Sequence, residues 1–328
     1  EVIFDKINYK SDFILDKKVN INSNLKECNA VFKEKIKYND KKIVRINEHN
    51  LFMNSRKYII GIAKNVGFSV LSIHRMNNIN YDAYVPSDMA KRAEASGIRK
   101  ANRDFLSALF LSIQAGAFIA LGAVFYTFIT FDSSLGIGLT NLFGGLGFSL
   151  GLILVVIAGA DLFTGDTLMI ISYLSKKITL IKMLKSWFVV FIGNLIGALS
   201  IVLLVKQSGI LESNILSHAI ALSNNKISMT FNECFFSGIL CNILVCLSIW
   251  LCYSARSVSD KILAIIFPIS GFVTIGSQHS IANMYFLSFG LHSFEEYSAN
   301  LLAVTLGNII GGALFVGAVY WTIYLRPD

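Results

Sequence analysis

Two short polar runs interrupt long apolar stretches, and they carry the residues best suited to chemistry. The first is Ala158-Gly159-Ala160-Asp161-Leu162-Phe163-Thr164-Gly165-Asp166, and the second is Ser277-Gln278-His279-Ser280, close behind Pro268, Gly271 and Gly276. A threonine hydroxyl from one run and an imidazole from the other can hold a small anion by hydrogen bonds. Among unperturbed side chains, only histidine also changes charge between pH 5 and 8. Ionisable groups at membrane depth are expensive and mark a pathway, so His279 reads as functional rather than as a packed core histidine. Asp161 and Asp166 flank the first run. A carboxylate beside an anion route repels the anion, so both are assigned to capping backbone N–H groups freed by the break. Cys234, Cys241, Cys246 and Cys252 lie in one apolar stretch without a CxxC or a histidine at ligand spacing. They read as small packing residues, and no metal or cofactor is expected.

The elements that must position these groups are membrane helices. Of the 328 residues, 54% are hydrophobic and 15% charged, against roughly 25% charged in a soluble domain. A straight crossing needs about 20 apolar residues. Six crossings are expected, near 105–131, 139–174, 187–205, 231–253, 262–289 and 300–324, with the second and fifth broken. Non-helical backbone at that depth is tolerated only where protein or a watery cavity satisfies it, so two breaks predict a cavity.

Charge supplies orientation. Residues 1–80 hold 15 Lys/Arg and 8 Asp/Glu, so most of the net charge of +8 sits in a Lys/Asn-rich leader. Without clear periodicity, that leader reads as disordered, and an organelle-targeting role suits it better than nucleic-acid binding. Beyond it, Lys91, Arg92, Arg99, Lys100, Arg103, Lys176, Lys177, Lys182, Lys185, Arg256, Lys261 and Arg326 fall on one side of the six crossings. The other side has Lys206 and Lys226. Both termini are therefore expected on the cytoplasmic side, or its organellar equivalent, of a plasma or plastid-like membrane. Residues 81–103 form the next segment, with a short interfacial helix expected at 86–98; the six-span domain covers 104–328.

The chain also repeats itself. Gly193-Asn194-Leu195-Ile196-Gly197-Ala198 in span 3 is echoed by Gly307-Asn308-Ile309-Ile310-Gly311-Gly312 in span 6. Thr164 precedes Asn194 by 30 residues, and His279 precedes Asn308 by 29. Two three-span halves insert with opposite polarity, the inverted-repeat plan in which broken helices meet near the midplane. That plan makes Thr164 and His279 counterparts.

Residues 158–166, Gln278-His279-Ser280-Ile281-Ala282-Asn283-Met284-Tyr285-Phe286, the 307–312 motif, Lys226…Thr230-Phe231 and Gly238…Cys241-Asn242 resemble the formate–nitrite transporter family over about 84–324. The resemblance implies an aquaporin-like, all-α protomer with its own pore, assembled as a homopentamer. It implies Thr164 and His279 as the central pair, Lys226 as a vestibule lysine, and Asn242 and Asn308 as pore-facing amides. It also implies one constriction of Phe148, Leu152 and Phe163 and another of Val245 and Phe272. Gln278 stands where the family commonly has Glu, and Asp166 where it commonly has Asn.

Transport of a small monovalent acid anion such as formate or nitrite follows, with a proton supplied through His279. Two alternatives are an aquaporin-like channel for neutral solutes and a lactate or acetate exporter of the same family. Against the first, Asn-Pro-Ala is absent from both breaks. An enzyme is not expected, since His279 lacks a paired nucleophile or metal ligands.

Overall fold

The computed structural model describes residues 83–327 together with the backbone of six leader strands. It divides into two compact units, Glu1–Ile79 and Asn80–Asp328. In the first, β1 (Val2–Phe4), β2 (Ile7–Tyr9), β3 (Phe13–Asn24), β4 (Glu27–Tyr38), β5 (Lys41–Leu51) and β6 (Val70–Ile73) pair antiparallel. Their order is β5-β4-β3-β1-β6, with β2 on β3. Composition points to a disordered leader; the described backbone pairs as strands instead. Val19, Ile21, Val31, Ile36, Ile43, Val44 and Ile46 are spread among the lysines and asparagines, and β-branched residues favour extended backbone.

The described part of the second unit is all helical. Helix α1 (Pro86–Ala101) starts on a proline, whose missing N–H costs nothing there, and buries Met89, Ala90, Ala93 and Gly97. It runs three residues past its expected end. The crossings then follow: α2 (Phe105–Thr130), α3 (Ile137–Ala158), α6 (Leu180–Ser208), α8 (Phe231–Ser254), α9 (Val258–Thr274) and α11 (Phe294–Ile309). The last continues through a π-helical segment, Ile310–Ala318, into α12 (Val319–Tyr324). Beyond the first break lie α4 (Phe163–Asp166), a 3-10 turn (Thr167–Met169) and α5 (Ile170–Leu174); beyond the second lies α10 (Ser280–Phe286). Among the described residues, five helical runs are long and apolar enough to cross a membrane, and the broken α9–α10 pair makes the sixth crossing. The chain is thus an integral, multi-pass membrane protein with an aquaporin-like protomer.

Side chains set the helix starts. Thr230/Glu233, Ser257/Asp260 and Ser293/Glu296 form reciprocal capping boxes at α8, α9 and α11, each satisfying two otherwise orphaned N–H groups. Asp104 and Thr179 cap α2 and α6. Helix α9 passes through Pro268 and Gly271 without a break and ends at Thr274, just ahead of the polar run. Pro268 gives up the N–H that would meet the carbonyl of Ala264, and the Ser248 hydroxyl takes that carbonyl at 3.3 Å.

The two halves are built alike. Gly193 and Gly197 on α6 lie so close to Ser112 and Ile113 of α2 that a Cβ at either position would collide with them. Gly307 and Gly311, at the end of α11 and the start of the π-helical segment, meet the carbonyls of Phe235 and Ile239 on α8 in the same way. Small residues that let backbones touch are how membrane helices associate when no hydrophobic drive separates helix from lipid. Helix α7 (Ser213–Ile227) was not anticipated; it carries Lys226.

Candidate functional site

Each first half-helix ends on a left-handed glycine, Gly159 (φ 84°) and Gly276 (φ 72°), a conformation that residues with a Cβ rarely adopt. Two residues later an asparagine takes hold. Asn194 Oδ1 accepts the Phe163 N–H at 2.9 Å, and its Nδ2 donates to the carbonyls of Asp161 (3.0 Å) and Ser112 (2.7 Å). Asn308 Oδ1 accepts the Ser280 N–H at 2.9 Å, and its Nδ2 donates to the carbonyls of Gln278 (3.1 Å) and Gly238 (2.8 Å). Each amide meets a broken loop on both sides and ties it to the neighbouring helix. Asn308 is therefore a clamp: both of its N–H donors and one acceptor site of its oxygen go to backbone groups.

This matching corrects the register. Residues 159–163 play the part of 276–280, so the counterpart of His279 is Leu162, and Thr164 lies two positions farther on. The spacings to the clamp are 31 and 28 residues rather than 30 and 29. The two breaks nevertheless bring Thr164 and His279 together: Thr164 Oγ1 lies 3.0 Å from His279 Nε2, and both residues are buried. His279 also caps α10, its Nδ1 accepting the Ala282 N–H at 3.1 Å. An Nδ1 that accepts carries no proton, so the neutral ring holds its hydrogen on Nε2 and donates it to Thr164. Protonating Nδ1 would set two donors face to face.

Below Thr164, Asn242 Nδ2 donates to the carbonyls of Thr164 (3.1 Å) and Asn308 (2.6 Å) and so joins the two halves. Its Oδ1 is buried without a hydrogen-bond partner among the described residues.

A cavity of about 70 Å³ lies against His279, lined also by Lys226, Phe148, Phe272, Tyr126 and Phe286. That is space for two or three water-sized volumes of ~30 Å³. Lys226 Nζ is 3.0 Å from Gln278 Oε1 and 5.1 Å from the centre of the Phe286 ring. Desolvation lowers its pKa to about 8. A chain of amides holds it: Gln278 Oε1 also accepts Asn283 Nδ2 (3.0 Å), Asn283 donates to Asn300 Oδ1 (2.9 Å), and Asn300 donates to the Lys226 carbonyl (2.9 Å). Asn283 and Asn300 escaped sequence reasoning, because nothing in one sequence shows that the two helices meet at α7.

The constrictions regroup. Phe148 and Phe272, expected at opposite gates, meet edge to face at 5.8 Å, and Phe272 stacks on His279 at 6.0 Å. Phe163, expected beside Phe148, packs instead on Phe191 (5.1 Å) and Trp187 (6.2 Å). Leu152 and Val245 are buried in the core, while Leu162 lines a separate, larger cavity at the other end of the crossings.

Asp161 and Asp166 do not cap free N–H groups. Lys100 pairs with both carboxylates, at 3.3 Å from Asp161, and Arg103 pairs with Asp161. Ionised carboxylates at this depth require such partners, and the basic residues at the end of α1 and just beyond it supply them.

The formate/nitrite transporter family model matches residues 87–322. The formate channel FocA of Escherichia coli (strain K12) is 40% identical over 280 residues, covering 76% of this chain and 97% of that protein. A solved pentameric formate channel with formate bound is 36% identical, has a TM-score of 0.61, and is covered over 98% of its length by 68% of this chain. An FNT family ion channel of 31% identity has a TM-score of 0.67, covering 74% of this chain and all of that one. With matched motifs, matched fold and a central Thr–His pair held by two clamped breaks, the chain belongs to the formate/nitrite transporter family.

Proposed function

We propose that this protein passes a small monovalent acid anion such as formate or nitrite through each protomer, together with a proton. The observation that carries this is the Thr164–His279 hydrogen bond between two clamped breaks, beside a cavity bounded by Lys226 and closed by Phe148 and Phe272. A bare carboxylate entering an aromatic gate loses hydration at great cost; the neutral acid avoids most of it. Lys226 draws the anion into the cavity. His279 turns its Nε2–H from Thr164 to the anion, and Thr164 offers its hydroxyl. A proton delivered through the imidazole or associated water neutralises the anion, and the acid passes the apolar segment. Asn242 Oδ1 is an acceptor available to the acid O–H as it moves through. The relatives described as formate channels, and the pentameric one among them, support this substrate class and assembly as a homopentamer. The loop charges favour both termini on the cytoplasmic side, and the basic leader a targeting role.

Radiotracer uptake into proteoliposomes across formate, nitrite, acetate, lactate and a dicarboxylate tests this directly. Formate and nitrite should enter fastest and the dicarboxylate not at all; fast water flux without acid flux would instead mark a neutral-solute channel. Phe148→Ala and Phe272→Ala each open the edge-to-face pair, so uptake of lactate relative to formate should rise about tenfold, the scale of one or two methylenes of discrimination. Size selectivity unchanged in both variants would place the gate elsewhere.

Lys226 gives a pH dependence with a defined sign. Its pKa near 8 means that the cation is present below that pH and lost above it. The half-saturating anion concentration should therefore rise as pH climbs from 7 to 9, while flux at saturation changes less. Lys226→Arg keeps its charge throughout and should flatten that rise; the same rise in the arginine variant would remove Lys226 as its cause.

A further inference from the structure

At the other end of the crossings from Lys226 lies a cavity of about 750 Å³, ten times the size of the one beside His279. We propose that it is a regulatory site for a phosphate-bearing polyanion, whose binding plugs this end of the route; the plugging rests on the transport function above.

Arg92, Arg99, Lys100, Arg103, Arg256 and Lys261 line it, with Asp161 the one lining carboxylate among the described residues. That carboxylate is taken by Lys100 and Arg103, and Lys100 also holds Asp166. Asp260, near the rim, is spent on the N–H groups of Arg256 and Ser257. Even with Arg256 left out of the count, the other five lining cations outnumber Asp161, Asp166 and Asp260, so among the described residues the wall keeps a positive excess. The cations come from α1, from the turn after it and from the corner between α8 and α9, so one formate-sized ion cannot touch them all. A ligand that bridges them must carry several charges. The volume suits a small molecule, since ligand sites run from about 300 to 1,000 Å³.

Arginine favours phosphate because its planar fork meets two oxygens at once. Two of these arginines are held at the mouth: the guanidinium carbons of Arg92 and Arg256 lie 3.5 and 4.3 Å from the centre of the Tyr84 ring. The floor is Leu162 and Gly165 of the first break, so an occupant sits directly against the loop that carries Thr164. A triphosphate and an anionic lipid headgroup present the same chemistry here.

Calorimetry on the full chain in detergent, with inorganic tripolyphosphate as probe, reads the site without any transport. Binding should be saturable, and Arg99→Gln/Lys261→Gln should weaken it about tenfold or more, as loss of charge-assisted contacts implies. In proteoliposomes, tripolyphosphate on the cavity side alone should slow formate flux. Sulfate at equal ionic strength should not, and the double variant should transport normally but resist the block. Binding to vesicles containing a phosphoinositide, with none to tripolyphosphate, supports the site and identifies a lipid headgroup as its ligand. Absence of both, or equal binding by the double variant, overturns the proposal. A native protein that binds tripolyphosphate yet carries no formate indicts the transport function instead.

Discussion

Replacing His279 with asparagine should cost at least tenfold in proton-coupled formate uptake while leaving the fold intact. Two roles meet in this side chain, and asparagine separates them. His279 Nδ1 caps α10 through the Ala282 N–H, and Nε2 faces Thr164. Asparagine is among the best N-capping residues, so it keeps the first role. It has no titratable proton, so it loses the second. A hydrogen bond to a charged partner contributes about 1.5–3 kcal/mol, which is roughly a ten- to hundredfold effect on capture of the anion. His279→Phe should lose at least as much uptake and some stability as well, because it removes the cap. The measurement is lumenal acidification in weakly buffered proteoliposomes, with flux through empty liposomes subtracted, because neutral acid crosses lipid faster at low pH. If the asparagine variant still carries anion at the native rate, electrogenically and without pH dependence, His279 moves no proton and the chain is a simple anion pore.

The framework was legible because its signals are local. Apolar length marks the crossings, a polar run inside such a length marks a break, and Gly-Asn-x-Ile-Gly marks the repeat. The threonine and histidine could be picked out by position alone, and the structure brings them to 3.0 Å. Register across the repeat was not legible. Counting residues paired Thr164 with His279, whereas the asparagine clamps pair His279 with Leu162, and only backbone hydrogen bonds could reveal a three-residue difference in spacing. The aspartates failed for a related reason. Their partners, Lys100 and Arg103, are more than 55 residues away in sequence, and a lone sequence does not say which basic residues fold over a break. Grouping Phe148 apart from Phe272 failed likewise, since two aromatics on different broken helices carry no mark of facing each other. Some missed features were readable: Thr230-x-x-Glu233, Ser257-x-x-Asp260 and Ser293-x-x-Glu296 are capping boxes that set three helix starts to the residue.

The clamps make the second large prediction, one of stability rather than flux. Asn308→Leu keeps roughly the same volume and removes every polar atom. It strands the Ser280 N–H and the carbonyl of Gln278 in a buried site, while the Gly238 carbonyl, inside α8, loses only a second donor. Each stranded group costs about 1–3 kcal/mol, so the two together are a large share of the ~5–15 kcal/mol that holds a typical domain folded. Asn194→Leu strands the Phe163 N–H and the carbonyl of Asp161, the Ser112 carbonyl keeping its place in α2, and should cost about as much if the halves are true repeats. Asn242→Leu is the contrast. It gives up donors to the carbonyls of Thr164 and Asn308, but the Thr164 carbonyl keeps the Thr167 hydroxyl at 2.7 Å. That variant should fold with a smaller loss and show its defect in transport. Thermal unfolding in detergent, read beside uptake in proteoliposomes, separates the three. Both clamp variants should melt well below the native protein or fail to assemble, whereas the Asn242 variant should melt nearer to it and carry less formate. A clamp variant that melts with the native protein would mean that water or a shifted loop satisfies the stranded groups, and the breaks would then be held by packing rather than by their asparagines.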